Sequence, residues 1–204
     1  MKIIAITGSY RKGAATDMAV NEILAAAEAC GARVSRIRLT EAQIGFCTNC
    51  RNCTQEESIK RGVCRIDDGM GKILDEIEDA DGLVLASPVN FGSVTAVMKR
   101  FLERLVCYAY WPWGRRIPRA RNRRRDKYAL LVVTSAAPAF LVRMQAGSTR
   151  MLKQAANLLG AKTAGILAIG CAASLEQPVM SARIRARARA LGTKLATSAP
   201  AEPA

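Results

Sequence analysis

The sequence has no histidine among its 204 residues. This absence excludes zinc sites of the mixed cysteine–histidine kind, Ser-His-Asp triads and cysteine–histidine nucleophile pairs within one chain. Acidic residues are also few, because 17 aspartates and glutamates stand against 31 lysines and arginines and leave a net charge of +14. A strongly basic chain without an imidazole is therefore the starting point for any functional interpretation.

Long apolar runs are absent as well, since none approaches the roughly 20 residues that a membrane span needs. The first residues, "MKIIAITGSYRKG", lack the apolar core and cleavage site of a secretory signal and predict a strand and a loop. We therefore expect a soluble, cytoplasmic protein with no membrane partner, in a compartment where thiols stay reduced. The length predicts a single domain over residues 1–197 and a disordered tail over residues 198–204.

Arginine is concentrated in two segments. Residues 115–125 hold seven arginines, and "ARIRARARALGTK" near the C-terminus adds four more and a lysine. These segments can be solvated surface, or they can attract an acidic protein partner, a phosphate-bearing ligand or nucleic acid. Nucleic acid is the least favoured, because no zinc-finger, homeodomain or RNA-binding signature accompanies the arginines.

Short apolar runs alternate with helical patterns along the chain. Buried strands are predicted over residues 2–7, 82–87, 128–134 and 164–170, and an edge strand over residues 33–39. Amphipathic helices are predicted between them, with N-caps at Thr16 and at Asp67 or Asp68, and further helices over 94–105, 151–159 and 179–196. The fold class is therefore α/β, a doubly wound sheet of five parallel strands in the order 2-1-3-4-5. A cysteine-rich loop follows strand two, and a basic aromatic insertion over residues 108–127 precedes strand four.

The loops after strands one, three and four are the candidate ligand site, because ligands bind beyond the carboxyl ends of such a sheet. The first loop, "GSYRKGAAT", places hydroxyls and Arg11 before a helix, where backbone N–H groups and the helix dipole can hold a phosphate. A Gly-Ser turn before a helix is nevertheless common without any ligand. Arg11 would add a charge-assisted bond to such a phosphate.

The second loop, "SPVNFGS", presents apolar and amide side chains suited to a flat heterocycle. Pro88 stiffens this loop, and Gly92 allows a close backbone approach. Asn90 could hydrogen-bond a ring or simply make a turn. The third loop, "SAAPAF", is small enough for a ring to slide past it. The three loops together favour flavin mononucleotide (FMN) as the ligand.

The first loop, the segment "DDGMGKILDEIEDADGLVLASPVNFGSVTAVMKRFLERL" and the cysteines before it resemble the NADPH-dependent FMN reductase superfamily, and within it the iron–sulfur flavoproteins. The likeness is strong over residues 1–135 and extends beyond them in pattern only. It implies a flavodoxin-like fold that binds FMN, and a homodimer or homotetramer whose interface completes the flavin site. The third loop departs from the glycine-rich form that is frequent in the family.

The resemblance also assigns roles to individual positions. The phosphate would be held at positions that match the family's first loop: Ser9, Arg11, Gly13, Ala14, Ala15 and Thr16. The isoalloxazine ring would be flanked by the second loop: Pro88, Val89, Asn90, Phe91, Gly92 and Ser93. Ser135 and Ala136 of the third loop complete the predicted FMN site.

Four of the seven cysteines follow the spacing C-x2-C-x2-C-x10-C. In the iron–sulfur branch such a cluster binds a 4Fe-4S centre, which implies Cys47, Cys50, Cys53 and Cys64 as ligands. The ten-residue gap before Cys64 is longer than the compact pattern, but a loop of this length can fold back at modest entropic cost. Zinc on four thiolates and reduced thiols without a metal are the alternatives. The remaining cysteines are interpreted as core residues: Cys30, Cys107 and Cys171.

The insertion is rich in aromatic residues. Four of the chain's ten aromatics lie within residues 107–118: Tyr108, Tyr110, Trp111 and Trp113. They can anchor an oligomer interface, where aromatics and arginine are enriched. Alternatively they form a lid over the flavin or the substrate, beside arginines that would receive an acidic ferredoxin or a nicotinamide dinucleotide phosphate.

The expected function is that of an FMN-dependent oxidoreductase of the iron–sulfur flavoprotein kind. It would pass electrons between a donor, ferredoxin or NAD(P)H, and a small acceptor through FMN and a 4Fe-4S cluster. The alternatives are a cluster-free NAD(P)H-dependent FMN or quinone reductase and a non-enzymatic flavodoxin-type carrier. The charge of +14 counts against the carrier, because carriers of that type tend to be acidic. No residue is identified as a general acid or base.

Overall fold

The structure is a computed structural model of the chain. It describes residues 1–57, 60–121, 125–139, 147–173 and 179–198. The predicted disordered tail lies outside these residues, apart from Ser198. Within the described ranges, no helix is both long enough and apolar enough to cross a membrane.

Strands and helices alternate along the chain as follows. The strands are β1 (Lys2–Thr7), β2 (Arg33–Arg38), β3 (Gly82–Asn90), β4 (Ser93–Val94), β5 (Ala109–Tyr110), β6 (Arg119–Ala120), β7 (Lys127–Thr134) and β8 (Ala161–Ile169). The helices are α1 (Ala15–Ala29), α2 (Met70–Glu78), α3 (Ala96–Arg104), α4 (Gly147–Leu158) and α5 (Ala182–Thr197).

The main sheet contains five parallel strands in the order β2-β1-β3-β7-β8. This order confirms the predicted α/β class and the 2-1-3-4-5 arrangement. The short strands do not join the parallel path, because β4 pairs antiparallel with the end of β3, and β5 pairs with β6. The parallel arrangement brings the carboxyl ends of all five strands to one edge, where the predicted ligand loops begin.

The sheet is covered on both faces, which explains why its strands read as continuous apolar runs. On one face α1 and α5 contribute side chains such as Val20, Ile23 and Leu195 to the core. On the other face α2, α3 and α4 contribute Ile73, Phe101 and Leu152, among others. The core therefore occupies two layers, and the site lies beyond it at the edge of the sheet.

The prediction that Thr16 caps the first helix is wrong. Helix α1 begins at Ala15, two residues earlier than predicted, and its N-cap Ala14 supplies no side-chain hydrogen bond. The Thr16 hydroxyl lies instead 2.8 Å from the hydroxyl of Thr134 at the end of β7. Because both hydroxyls are buried, the bond between them satisfies two polar groups that would otherwise be costly to bury.

The prediction of a loop over residues 88–92 followed directly by a helix from residue 94 is also wrong. Strand β3 continues to Asn90 and returns as β4, so that Val89 pairs with Val94. The turn is formed by Phe91 and Gly92, whose φ angles are 48° and 75°. Two successive positive φ angles are typical of the tight turns that join antiparallel strands.

Helix α3 is anchored at its N-terminus to the loop that follows β1. The Thr95 hydroxyl donates a hydrogen bond of 2.7 Å to the carbonyl of Gly8 and accepts one from the Met98 amide. A Cβ atom on Gly8 would lie 2.8 Å from the Cβ of Met98 and 2.9 Å from the Thr95 hydroxyl. The close approach of this loop to α3 therefore requires glycine.

The C-terminus of α3 is anchored to the cysteine-rich segment by a buried ion pair. Arg104 donates to both carboxylate oxygens of Asp68, at 2.7 and 3.1 Å, and to the carbonyl of Gly45 at 3.0 Å. Asp68 also accepts from the Gly45 amide at 2.7 Å. Gly45 and Asp68 lie on either side of the four clustered cysteines, so this pair closes the base of the segment that carries them.

The Gly8→Ala variant tests the contact between the first loop and α3. We expect a loss of about 1–3 kcal/mol in the free energy of unfolding, because the added methyl group overpacks a site with no free space. Gly71→Ala in α2 is the matched control, since a Cβ there would meet nothing within 4 Å. The control should stabilise the protein by about 0.5 kcal/mol. Urea denaturation of both variants checks the difference, and equal effects would contradict the proposed close approach.

The Asp68→Asn variant tests the buried ion pair. We expect a loss of about 3–5 kcal/mol, because Arg104 keeps its charge without a counter-charge. Glu103→Gln is the control on the same helix, since the exposed Lys99–Glu103 pair at 3.7 Å should contribute less than about 0.5 kcal/mol. Guanidinium denaturation curves measure both changes, and a loss at Asp68 no larger than at Glu103 would refute the assignment.

The same ion pair predicts a dependence of stability on pH. Burial by itself would raise the pKa of Asp68, but hydrogen bonds from Arg104, Gly45 and Met70 outweigh it and lower the pKa below the ordinary value of 3.8. The stabilisation is thus complete above pH 4 and is lost as the pH falls through the lowered pKa. Asp68→Asn should flatten this acid limb of the stability profile.

Candidate functional site

A cavity of about 310 Å³ opens at the carboxyl ends of the strands. This volume lies within the range of sites that bind small molecules. Its lining comes from the last residues of β3 and β7, from the segments that follow β1, β7 and β8, and from the N-cap of α3: Ser9, Tyr10, Arg11, Ala14, Ala15, Thr16, Pro88, Val89, Asn90, Thr95, Thr134, Ser135, Ala136, Ala172 and Ala173. The fold thus brings the three predicted loops together around one space.

Four of the predicted FMN residues are not among those that line the cavity. Phe91 and Gly92 form the turn of the hairpin, and the Phe91 side chain is fully exposed. The Ser93 hydroxyl donates to the sulfur of Met151 at 3.2 Å, and the Gly13 amide donates to Asp17 at 3.0 Å. Gly92 is needed for its positive φ rather than for close approach, because a Cβ there would meet nothing within 4 Å.

Sequence reasoning missed several residues that line the cavity. Tyr10 is one, and its hydroxyl accepts a hydrogen bond of 3.3 Å from the Val97 amide at the start of α3. Thr95, Ala172 and Ala173 were missed too. The rule that all parallel strands end at the same edge could have found the two alanines, because they follow the last strand.

The N-terminus of α1 faces this cavity without a side-chain cap. Ala14, Ala15 and Thr16 line the space. The N-cap residue is Ala14, whose side chain makes no hydrogen bond to the first amides of the helix. A helix N-terminus left in this state is suited to bind an anion. The structure therefore offers a fixed positive end of a dipole where the predicted phosphate would lie.

A buried carboxylate stabilises the same loop. Asp17 accepts from the Gly13 amide at 3.0 Å and from Arg38 at 2.6 Å. The Ser9 hydroxyl donates to the carbonyl of Arg11 at 3.2 Å. These contacts fix the path of the loop, so that the backbone around the helix N-terminus is held in place before any ligand arrives.

The four clustered cysteines line a second, much smaller cavity of about 20 Å³. Besides the thiols, its wall includes Arg51 and Arg104. The loop reaches this arrangement through positive φ angles of 57° at Asn49 and 58° at Arg51, on either side of Cys50. Among the residues that the structure describes, no group of three or more cysteine, aspartate or glutamate side chains is placed to hold a metal ion.

The thiols are close enough to affect one another's ionisation. Burial raises the pKa of Cys53 to about 11, and its neighbours Cys64, Cys47 and Cys50 add to the effect. The pKa of Cys50 is lowered, first by the backbone amide of Asn52 and then by the Thr48 hydroxyl. The segment thus contains one buried, protonated thiol beside an exposed one that ionises more easily.

Buried cations adjoin these thiols. Burial would lower the pKa of Arg104, but its bonds to Asp68 and its proximity to the Cys64 thiol hold the pKa above the ordinary value. The Nε atom of Arg51 is buried, and it donates no hydrogen bond to any residue that the structure describes. A cavity lined by four cysteines and two arginines is chemically suited to a negatively charged, sulfur-rich group.

The aromatic insertion lies against the cysteine-rich segment rather than at the first cavity. Strands β5 and β6 form a hairpin, and none of the described insertion residues is among those lining the 310 Å³ cavity. The Trp111 amide donates to the carbonyl of Thr54 at 2.8 Å, and Arg121 donates to the carbonyl of Cys53 at 3.1 Å. The described insertion residues therefore do not form a lid over the cavity of their own chain, and their alternative role as an anchor of an oligomer interface stays a prediction.

The remaining cysteines only partly match the prediction that they fill the core. Cys107 is buried, and burial raises its pKa to about 12. Cys30 and Cys171 are exposed, so the prediction is wrong for both. Cys30 is the C-cap of α1, and Cys171 follows the last strand, where the chain has already left the core.

A larger groove, with a volume of about 980 Å³, lies along the edge strand β8. Its lining includes Arg150 and Lys153 of α4 and Arg187 of α5. It follows the length of an edge strand instead of the carboxyl ends of the sheet, where ligands of this fold bind. The smaller cavity is therefore the candidate ligand site.

Comparison with known proteins relates the chain to flavoproteins. The family model for NADPH-dependent FMN reductases matches residues 1–174. An iron-sulfur flavoprotein of Archaeoglobus fulgidus is 32% identical over 112 residues, which are 55% of this chain and 49% of the relative. One from Methanocaldococcus jannaschii is 36% identical over 104 residues, 51% of each chain. The matched region thus spans about half the length of these curated relatives.

Solved structures with the same fold include two reductases. The NAD(P)H:quinone oxidoreductase of Methanothermobacter marburgensis superposes with a TM-score of 0.70 at 15% identity over 96% of each chain. An FMN-dependent NADH-azoreductase of Bacillus anthracis, solved in complex with FMN, superposes with a TM-score of 0.68 at 11% identity, over 96% of this chain and 97% of the azoreductase. At these identities the likeness shows the flavodoxin-like fold alone.

The family match covers most of the chain, and the fold agrees with it. The parallel strand order, the uncapped helix N-terminus at the carboxyl edge and the cysteine segment before α2 are all present in the structure. The chain belongs to the NADPH-dependent FMN reductase family.

Proposed function

We propose that the protein is an FMN-dependent oxidoreductase of the iron–sulfur flavoprotein type. FMN would occupy the 310 Å³ cavity, and a 4Fe-4S cluster would be held by Cys47, Cys50, Cys53 and Cys64. The observation that carries the proposal is the convergence of three loops on a cavity that opens onto the N-terminus of α1. Family membership supports FMN as the ligand, and the curated relatives are named iron-sulfur flavoproteins.

The phosphate of FMN would bind where α1 begins. The amides around Ala14 to Thr16 and the side chain of Arg11 supply donors and positive charge on this wall of the cavity. Asp17 does not oppose the phosphate with a free charge, because it is engaged by Arg38 and the Gly13 amide. Its role is to hold the loop.

The flavin ring would lie between the second loop and the residues after β7 and β8. Pro88 and Val89 present apolar surface, and Asn90 presents an amide to the ring edge. Ser135, Ala136 and Ala172 are small and leave room for a flat ring on the other wall. Bound FMN supplies hydride acceptance at its N5 position and the release of single electrons.

The cysteine site fits a cluster in its chemistry but not in its present volume. Four cysteines and two arginines line the cavity, and the Nε–H of Arg51 is buried without an acceptor among the described residues. A space of about 20 Å³ holds about one water molecule, so the segment would have to open to admit four irons and four sulfides. Bound, the cluster transfers one electron at a time.

The partners proposed for this site follow from its surface. Exposed apolar side chains border the cysteine segment: Phe46, Val63, Trp113 and Ile117. With the arginines of the insertion, they form a surface suited to an acidic ferredoxin as electron donor, and NAD(P)H is the alternative donor. A homodimer or homotetramer would complete the flavin site beside the exposed Phe91.

A cluster-free NAD(P)H-dependent FMN or quinone reductase is the second candidate. It is favoured by a specific observation, namely that the described cysteines line a closed cavity and are not placed to hold a metal. In that case the four thiols would stay reduced, and the flavin alone would carry the reaction.

The Arg11→Gln variant tests the phosphate site. We expect wild-type protein to bind FMN more tightly than riboflavin, and the variant to lose about 10- to 100-fold in FMN affinity, as a charge-assisted hydrogen bond would provide. Riboflavin affinity should not change, because it lacks the phosphate. Lys12→Gln is the control from the same loop, since Lys12 pairs with Glu41 and does not line the cavity. Flavin fluorescence titration measures all six affinities, and equal losses of FMN and riboflavin affinity in Arg11→Gln would refute the site.

The Cys64→Ser variant tests the cluster. Anaerobically reconstituted wild-type protein should contain about four irons and four sulfides per chain, as a 4Fe-4S centre requires. Cys64→Ser should retain less iron and lose the cluster faster in air, whereas Cys30→Ser, at an exposed cysteine on α1, should match the wild type. Iron and sulfide assays with absorption spectra check this outcome. Wild-type protein with flavin bands but no iron would select the cluster-free reductase.

A further inference from the structure

Both tryptophans of the chain stack on a single arginine within the cysteine segment. The guanidinium carbon of Arg51 lies 3.8 Å from the ring centre of Trp111 and 4.2 Å from that of Trp113. Both distances are well inside the 6 Å limit of a cation–π contact. The chain has only two tryptophans, and both of them contact this one side chain.

Hydrogen bonds fix the same side chain. One terminal nitrogen of Arg51 donates to the carbonyls of Trp111 and Pro112, at 2.5 and 3.1 Å. The Nε of Arg51 is buried and has no acceptor among the described residues, and Arg51 is one of the residues that line the cavity of the four cysteines. A buried donor without a partner is costly, and it points to an acceptor that arrives with a ligand.

The insertion holds the segment around Arg51 at further points. The Thr54 hydroxyl donates to the carbonyl of Trp111 at 3.0 Å, and the Gln55 side chain accepts from the Trp113 amide at 3.1 Å. Arg119 forms an ion pair with Glu57. The contacts therefore run along the outer side of the segment from Arg51 to Glu57, next to two of the clustered cysteines.

We propose that Arg51 is a positioning residue of the cysteine site: the two tryptophans hold its guanidinium in place, and its Nε–H donates a hydrogen bond to a sulfur of the cluster that the four cysteines bind. The donor role rests on the proposed function, whereas the positioning role concerns the apoprotein as well. The basic aromatic insertion is then a strap that keeps the cysteine segment in its curved conformation. Lysine cannot replace arginine here, because it lacks both the planar group and the Nε–H.

Thiol labelling of the apoprotein tests the positioning role. Cys53 is buried, so it reacts only when the segment opens. In Arg51→Met we expect labelling of Cys53 to accelerate about tenfold, the ratio that two lost cation–π contacts would provide. Trp113→Ala should accelerate it about threefold, and Trp113→Phe should restore most of the wild-type rate, since a phenyl ring still stacks on the guanidinium. A glutamate-specific protease releases Cys47, Cys50 and Cys53 in the single peptide 42–56, and tandem mass spectrometry of this peptide gives the rate at each cysteine.

Two controls separate the positioning role from a general loss of stability. Amide hydrogen exchange in the core strand β1 reports global unfolding, and its rate should not change in any variant. Arg116→Met removes an exposed arginine from the same insertion and should leave Cys53 as slow as in the wild type. If Arg51→Met unfolds, Trp113→Ala decides the test, because Trp113 is 68% exposed and its loss leaves the core intact. Unchanged labelling of Cys53 in Trp113→Ala would overturn the proposal.

The midpoint potential of the reconstituted cluster tests the donor role. Loss of an N–H donor and a positive charge beside the sulfurs should lower the midpoint potential in Arg51→Met. The midpoint potential of Arg51→Lys should lie between those of Arg51→Met and the wild type. A merely structural role would change cluster content without shifting the potential of the clusters that remain. An unshifted potential would overturn the donor role. Failure of the wild type to take up iron would overturn the donor role together with the cluster, while the labelling experiment would still decide whether Arg51 positions the segment.

Discussion

The anchoring of helix α3 by buried polar contacts at both ends determines where the two candidate sites lie. Thr95 binds the carbonyl of Gly8 in the first ligand loop, and Arg104 binds Asp68 at the base of the cysteine segment. A nine-residue helix is about 13 Å long, so the candidate flavin cavity and the pocket of thiols lie one short helix apart. Because Phe101 packs α3 into the core, the helix keeps the bases of the two sites at a fixed separation.

The arginines that give the chain its large positive charge have different structural roles. Arg185 and Arg189 of α5 both pair with Glu22 of α1, so part of the C-terminal arginine run joins two helices on one face of the sheet. Arg51 and Arg104 lie at the wall of the thiol cavity. A site with four cysteines that can ionise needs cations nearby to stabilise the negative charge. Because acidic residues are few, arginines remain available for this role. The net charge of +14 is therefore only in part a property of the outer surface.

Local patterns predicted the parts of the structure that depend on neighbouring residues. The apolar runs of β1, β3 and β7 indicated buried parallel strands, and from these followed the sheet order and the edge at which the loops meet. What could not be predicted depends on contacts between distant residues. Thr16 has the sequence features of a helix cap, yet its hydroxyl binds Thr134, 118 residues away. The tryptophans were assigned to an interface or a lid because no local pattern indicates that they stack on Arg51.

The conformation of the cysteine triplet explains why the insertion accompanies it. Cys50 lies between two residues with positive φ, and one of them is arginine, a side chain that seldom adopts this conformation. Such a backbone costs of order 1–3 kcal/mol per residue and persists only where surrounding contacts hold it. The stacking on Trp111 and Trp113 and the bonds to two carbonyls supply those contacts at Arg51 itself. The curved conformation of the triplet is thus supported at Arg51 by contacts that the insertion supplies.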